Sequence, residues 1–158
     1  MVNSISVYTA GPIDLAGDDQ IDWRSTLQQE LQNEGIAAVL FNPATAFMSS
    51  KWGVPAQERA SYIETVNSNA LLVADIFVAV VPSNKFSMGV PVEIDMAKQH
   101  NMNMFVISDI PYGKSAYLDN RIDPSRLFTV SDWSTVEVEM AVVSVVKGIL
   151  SDMANSKD

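Results

Sequence analysis

The stretch Asp75–Val81 (DIFVAVV) most narrows what this chain can fold into. Six of its seven residues are apolar, with none of the alternation expected of a strand that faces water on one side. An unbroken run of this kind belongs to a strand covered on both faces, as in the middle of a parallel sheet. The longer apolar segment around it, Ala70 to Pro82, is interrupted by Asp75 and is too short to span a bilayer.

The flanking sequence alternates short β-rich runs with longer helical ones. Ser4–Ala10 (SISVYTA) predicts a first strand, ended by the breaker pair Gly11-Pro12. A helix is expected from about Asp22 to Glu34, with Trp23, Leu27 and Leu31 on one face and Gly35 as its stop. Ile36–Phe41 reads as a second strand running into Asn42-Pro43. The irregular stretch from Pro43 to about Val54 has the length of a functional loop.

A helix from about Gln57 to Leu72 is expected to turn Ile63, Val66 and Ala70 inward. After the apolar strand, PSNKFSMG leads to a helix from Pro91, read as a first-turn proline, to His100. Met104–Ser108 makes a fourth strand. A polar loop from Asp109 to Pro124 precedes a short fifth strand near Leu127–Val130. Ser134-Thr135-Val136-Glu137 fits a capping box opening a last helix, with Val138, Val142, Val145 and Ile149 on one face. The expectation is one α/β domain over residues 1–158. It is a doubly wound, Rossmann-like or flavodoxin-like sheet of about five mostly parallel strands, with helices on both faces.

Composition removes several functions. The formal net charge of −9 repels polyphosphate, so a nucleic acid polymer is a poor partner, whereas a small phosphorylated metabolite is not excluded. With no cysteine and a single histidine, a Cys/His zinc site, a disulfide framework and a thiol nucleophile are ruled out. A Ser-His-Asp relay would need His100, which stands at the polar end of a helix, where histidine caps carbonyls or faces water. The eight methionines suggest no cofactor, and neither a metal nor an organic cofactor is expected. The N-terminus lacks the pattern of a signal peptide, so the reading is a soluble, cytoplasmic protein with no membrane partner.

Ligands of open α/β sheets bind beyond the carboxyl ends of the strands. Two loops there are unusual: Tyr8-Thr9-Ala10-Gly11-Pro12-Ile13-Asp14 after the first strand, and Ser83 to Glu93 after the third. GxxxxGK[ST] and GxGxxG are both absent, which supports neither an NTPase nor a dinucleotide site. Ser87, Gly89 and Glu93 surround a helix N-terminus, where the dipole favours an ionised first-turn acid. A carboxylate held ionised at a pocket mouth suits attack on an anomeric carbon; an acid there equally suits plain helix stabilisation. Trp23 and Phe47 are aromatic candidates for stacking on a base. Helical spacing with Leu27 and Leu31 favours core packing for Trp23, which leaves Phe47 the better stacking residue. Asp75 begins its strand at the opposite edge and reads as structural. Asp95, on another helix face than Glu93, reads as solvated.

VYTAGPID, DWR, FNPA, ADIFVAVV and SMGVPVEIDMA, in this order and spacing, resemble the nucleoside 2-deoxyribosyltransferase family, which includes the 2′-deoxynucleoside 5′-monophosphate N-glycosidases. The resemblance runs from the first strand to the end of the third helix and is only generic beyond. It implies that Glu93 attacks C1′ and expels the base as a glycosyl-enzyme ester forms, with Tyr8 orienting the carboxylate. Where better-known members carry an aspartate, this chain has Asn67, an amide that can orient a sugar hydroxyl or Glu93 but cannot act as acid or base. Asp14 is then the nearest alternative proton donor. Ser87 stands where the monophosphate glycosidases have serine and the transferases an acid. Lys85 and Arg24 are nearby cations that also read as surface residues.

Gly11, Pro12, Ile13, Asp14, Arg24, Asn42, Phe47, Ser87 and Gly89 complete the expected substrate-binding set. Neighbouring subunits often complete the pocket in this family, so a homo-oligomer is expected. The implied activity is cleavage of an N-glycosidic bond in a (2′-deoxy)nucleoside or its 5′-monophosphate, with deoxyribosyl transfer to another base. Two alternatives stay open: a glycosidase using water, and an inactive nucleotide-binding sensor, which Asn67 keeps in play.

Overall fold

The computed structural model describes residues 4–12, 22–43, 56–85 and 89–156, with side chains from residue 64 onward in the helix that opens at Ala56. Five strands, β1 (Ser4–Ala10), β2 (Ala37–Phe41), β3 (Ile76–Val81), β4 (Asn103–Ser108) and β5 (Leu127–Thr129), form one sheet in the order β2-β1-β3-β4-β5. Every pairing is parallel. The helices are α1 (Trp23–Asn33), α2 (Ala56–Val73), α3 (Gly89–Gln99), the single turn α4 (Ala116–Asp119) and α5 (Thr135–Asn155). The expected doubly wound sheet is therefore present, and its strand order reverses between β1 and β3, where such folds open a crevice at the carboxyl edge.

The period-two alternation of the central strands sorts two cores. Val7, Ile76, Val78, Val80, Phe105 and Ile107 pack against Trp23, Leu27 and Leu31 of α1 and the valine face of α5. Tyr8, Ala10, Phe77, Ala79, Met104 and Val106 pack on the other side against Leu71 of α2 and Val90, Ile94 and Ala97 of α3. The β3 run is buried from Ile76 to Val80, as a strand covered twice must be. Val138, Val142, Val145 and Ile149 of α5 are all buried, as their spacing predicts.

Local chemistry sets the boundaries. Asp22 caps α1 by accepting from Ser25 N, and Gly35, at φ +75°, follows its end. Asp75 accepts from Ser6 N (2.8 Å) and Ser6 Oγ (3.1 Å), tying β3 to β1 at the amino edge, the structural role read for it.

Several expectations need correction. α3 begins at Gly89, two residues before Pro91, because a missing N–H is tolerated throughout a first turn whose amides have no intrahelical acceptor. Glu93 is thus in the second turn. The polar loop holds α4, capped by Ser115, and a 3₁₀ turn at Pro124–Arg126. Only half of the capping box of α5 forms: Ser134 Oγ accepts from Glu137 N, while Glu137 accepts from Ser131 N and Ser134 N donates to Asp132. Among the described side chains of α2 the fully buried one is Leu71; Val66 and Ala70 are half-buried, and the Ile63 side chain lies outside the described residues. Asp95 is not merely solvated, since it pairs with Arg121 Nε at 2.5 Å and accepts from the Tyr117 hydroxyl at 3.4 Å. No helix among the described residues is long and apolar enough to cross a membrane.

Gly11 is the glycine on which the switch point turns. Its φ is +138°, and a Cβ there would lie 2.8 Å from Val80 O. Gly11→Ala is therefore expected to lose about 3 kcal/mol, combining backbone strain with overpacking. Gly35→Ala, with open space around its Cβ, should lose only about 1 kcal/mol. Thermal melts of the two variants, read against the parent, check this order.

Candidate active site

The register of the sheet builds the site. Tyr8 stands opposite Phe41 on β2 and Phe77 on β3. The three rings stack across the strands, with centroids 5.4 Å and 5.8 Å from Tyr8. This grip fixes the phenol and aims its hydroxyl at α3, where it donates to Glu93 Oε1 at 3.0 Å. Burial, the adjacent Glu93 charge and the bond itself raise the Tyr8 pKa far above that of a free phenol, so the proton stays on tyrosine. Among the described residues no hydrogen bond reaches Glu93 Oε2.

Tyr8 and Glu93 line a pocket of about 390 Å³ together with Glu64, Asn67, Ser68, Leu71, Gly89, Val92 and Met96. No lysine, arginine or histidine is among these residues. The Oδ1 atom of Asn67 is buried with no hydrogen-bond partner among the described residues, a state that costs about 1–3 kcal/mol unless a donor arrives. Burial pushes the Glu93 pKa up to about 6, against the lowering effects of the Tyr8 hydrogen bond and the Arg24 charge. The expected help of the helix dipole does not govern this carboxylate: its effect fades beyond the first turn, and desolvation prevails. At neutral pH Glu93 is still mainly ionised.

Arg24 is the main departure from the sequence reading. It is 6% exposed, and its guanidinium lies 4.5 Å from the Trp23 ring centroid. Nε donates to Thr9 Oγ1 (2.8 Å), Nη1 to Pro12 O (2.9 Å), and Nη2 to Thr9 O (3.2 Å) and Gly11 O (3.0 Å). Burial lowers its pKa to about 10, which leaves it charged. A cation so occupied holds the loop after β1 and adds field at Glu93; it is not a surface residue offering its donors to a phosphate. Trp23 is fully buried and donates Nε1–H to Pro12 O at 3.1 Å, which makes it core rather than a stacking platform.

The structure thus brings together Tyr8, Asn67, Gly89 and Glu93. Gly11 and Pro12 sit at the switch point, held by Arg24. Pro12 also lines a neighbouring cavity of about 570 Å³, with Lys85, Pro91 and Ile94, against the opposite face of α3. Asn42 follows β2 at the carboxyl edge, half-buried and outside the Glu93 pocket wall. Ile13, Asp14, Phe47 and Ser87 lie outside the described residues. His100 is exposed at the end of α3, away from the site. Glu64 was missed, although a signal was present: Glu64, Asn67, Ser68 and Leu71 follow i, i+3, i+4, i+7 spacing and share one face of α2. Among the described residues no cluster suits a metal ion.

No family model matches the chain, and no curated protein matches it. Solved structures do share its fold. A 2-deoxyribosyltransferase from the psychrotolerant bacterium Bacillus psychrosaccharolyticus superposes with a TM-score of 0.53 at 19% identity, over 84% of this chain and 90% of that one. A conserved protein from Enterococcus faecalis V583 gives 0.50 at 15% identity, over 97% and 99%. A β-glucosidase from Erythrobacter marinus gives 0.54 at 8% identity, over 93% of this chain but 24% of its own. At these identities the likeness establishes the α/β fold, and the chemistry must be argued from the pocket.

The Glu93 environment carries a stability consequence. Its folded pKa of about 6 lies above the ordinary 4.5, so the stabilising contribution of the protonated form is full below about 4.5 and is lost as pH rises through about 6. At pH 8 the ionised carboxylate costs on the order of 2 kcal/mol. Glu93→Gln, which keeps an acceptor for Tyr8, should raise the melting temperature by about 4–8 °C at pH 8 and leave it unchanged near pH 4. Melts at both pH values check the sign.

Proposed function

We propose that the chain is an enzyme that cleaves the N-glycosidic bond of a (2′-deoxy)nucleoside or its 5′-monophosphate, with Glu93 as nucleophile, and passes the deoxyribosyl group to another base. The observation that carries this reading is the Tyr8–Glu93 hydrogen bond inside a pocket at the switch point. It orients one carboxylate oxygen and leaves the other for C1′. Two further facts support it: the run of motifs similar to nucleoside 2-deoxyribosyltransferases, and a fold shared with one such transferase.

In the first half-reaction a Glu93 oxygen bonds to C1′ as the C1′–N bond breaks and its electron pair leaves with the base. In the second, an incoming base nitrogen attacks C1′ and the carboxylate departs. Water as acceptor gives the N-glycosidase instead, through the same intermediate. Tyr8 stays protonated throughout and steadies Glu93. Ser87 and the amides at the start of α3 are the proposed seat of the sugar 5′ substituent, with Gly89 at the edge of the pocket. A homo-oligomer working in the cytoplasm belongs to the same reading, and Val92, 58% exposed on the pocket wall, is an apolar group a second copy would cover.

The test is base release from a panel of 2′-deoxynucleosides and their 5′-monophosphates, with and without a second free base. Glu93→Ala should lower release at least about a thousandfold. The rate should fall as pH drops through about 6, because the reactive form is the carboxylate. Tyr8→Phe removes an interaction that lowers the Glu93 pKa, so it should move this acid limb to higher pH. No release from any substrate by folded protein would leave the sensor reading in its place.

A further inference from the structure

The residues brought together around Glu93 leave the departing base without a proton donor among them: Glu93 is the nucleophile, Tyr8 holds its proton, Asn67 cannot exchange one, and Asp14, the donor the sequence suggested, lies outside the described residues. We infer that Glu64 is a further catalytic residue, the group that protonates the departing base and later deprotonates the acceptor. This rests on the proposed glycosyl transfer and deepens it.

Three observations place it there. Glu64 lines the pocket of Glu93 and Tyr8, and is the second carboxylate among the residues that do so. It is exposed, and neither ion pair among the described residues uses it. It also precedes Asn67 by three residues on α2, hence by about 4.5 Å along the axis and on the same face. Because α2 crosses from β2 to the parallel β3, it runs antiparallel to the strands, so Glu64 stands nearer the carboxyl edge and Asn67 deeper. The Oδ1 of Asn67, buried and without a partner among the described residues, marks a place for a ligand hydrogen-bond donor, which a sugar hydroxyl supplies. A sugar held by Asn67 with C1′ against Glu93 directs its base toward the mouth, where Glu64 waits. The charge of a solvated helix acid would serve as well anywhere on the outer face of α2; the position on the pocket face is what needs explaining.

The protons balance. In the first half-reaction Glu93 bonds to C1′, the C1′–N pair passes to the base, and a proton drawn from solvent reaches that nitrogen through the exposed carboxyl group of Glu64. In the second, the Glu64 carboxylate takes the proton from water or from the N–H of the incoming base. The new bond to C1′ forms as the bond to Glu93 breaks, Glu64 passes its proton back to solvent, and both carboxyl groups return to their starting states.

The experiment compares two leaving groups in parent protein, Glu64→Gln and Glu93→Ala. The purine of 2′-deoxyadenosine must be protonated to leave well, whereas that of 7-methyl-2′-deoxyguanosine is already cationic and needs no proton; each is tried as nucleoside and 5′-monophosphate. Glu64→Gln should slow single-turnover release of adenine by about a hundredfold or more and of 7-methylguanine by less than about fivefold. Equal slowing of both, or rates within about twofold of the parent for both, overturns the assignment. If the parent releases base in a Glu93-dependent way while Glu64→Gln matches it, only the role of Glu64 falls. If the parent releases no base from these purines or from any substrate of the panel above, the glycosyl-transfer reading fails and takes this one with it.

Discussion

Tyr8 is held between Phe41 and Phe77 because three parallel strands bring aromatic residues into the same register, and the geometry of the site follows from that stack. A ring gripped on both sides cannot swing, so its hydroxyl has one direction available, and Glu93 lies along it. The opposite face of β1 is held just as firmly. Thr9 donates to Phe41 O and accepts from Arg24 Nε, while the rest of the guanidinium gathers the carbonyls of Thr9, Gly11 and Pro12. β1 is thus anchored through alternate residues, one to the site and the next to the scaffold. The absence of a side chain at Gly11 lets its loop close on Val80.

The electrostatics follow from the same packing. Glu93 loses part of its hydration beside a cross-strand aromatic stack, and the two groups that favour its charge do not restore all of what water supplied. The result is a carboxylate that is ionised near neutrality yet poorly solvated, an arrangement that suits nucleophilic attack better than stability. Distributing the work over separate residues follows from that balance. A tyrosine that keeps its proton orients Glu93, a neutral amide at 67 adds no negative charge to the pocket, and the other carboxylate on its wall, Glu64, is exposed.

Much of the architecture was legible in the chain itself. The unbroken β3 run demanded two covered faces, and Asp22 and Gly35 marked the ends of α1 by chemistry that acts within a few residues. Tyr8 and Glu93 were legible through motif resemblance, and the structure brings their side chains into contact. What escaped were pairings between distant segments. Nothing near Arg24 announces that its donors will be consumed by residues 9 to 12, and the partner of Asp95 comes 26 residues later, at Arg121. The start of α3 was misplaced because a proline is acceptable at any residue of a first turn. Glu64 is legible in principle, since the face it shares with Asn67 is set by helical spacing alone; no motif marks it, because it lies on a helix wall and not in a loop at a strand end.

The central claim is that Glu93 forms a covalent bond to the sugar. Protein incubated with 2′-deoxynucleoside, quenched in acid and digested, should yield the peptide containing Glu93 with added mass equal to one deoxyribosyl group, or its 5′-phosphorylated form when the monophosphate is used. Fragmentation should place the addition on Glu93 itself. Base release in the same samples with that peptide unmodified, or with the sugar on a different residue, would contradict the account.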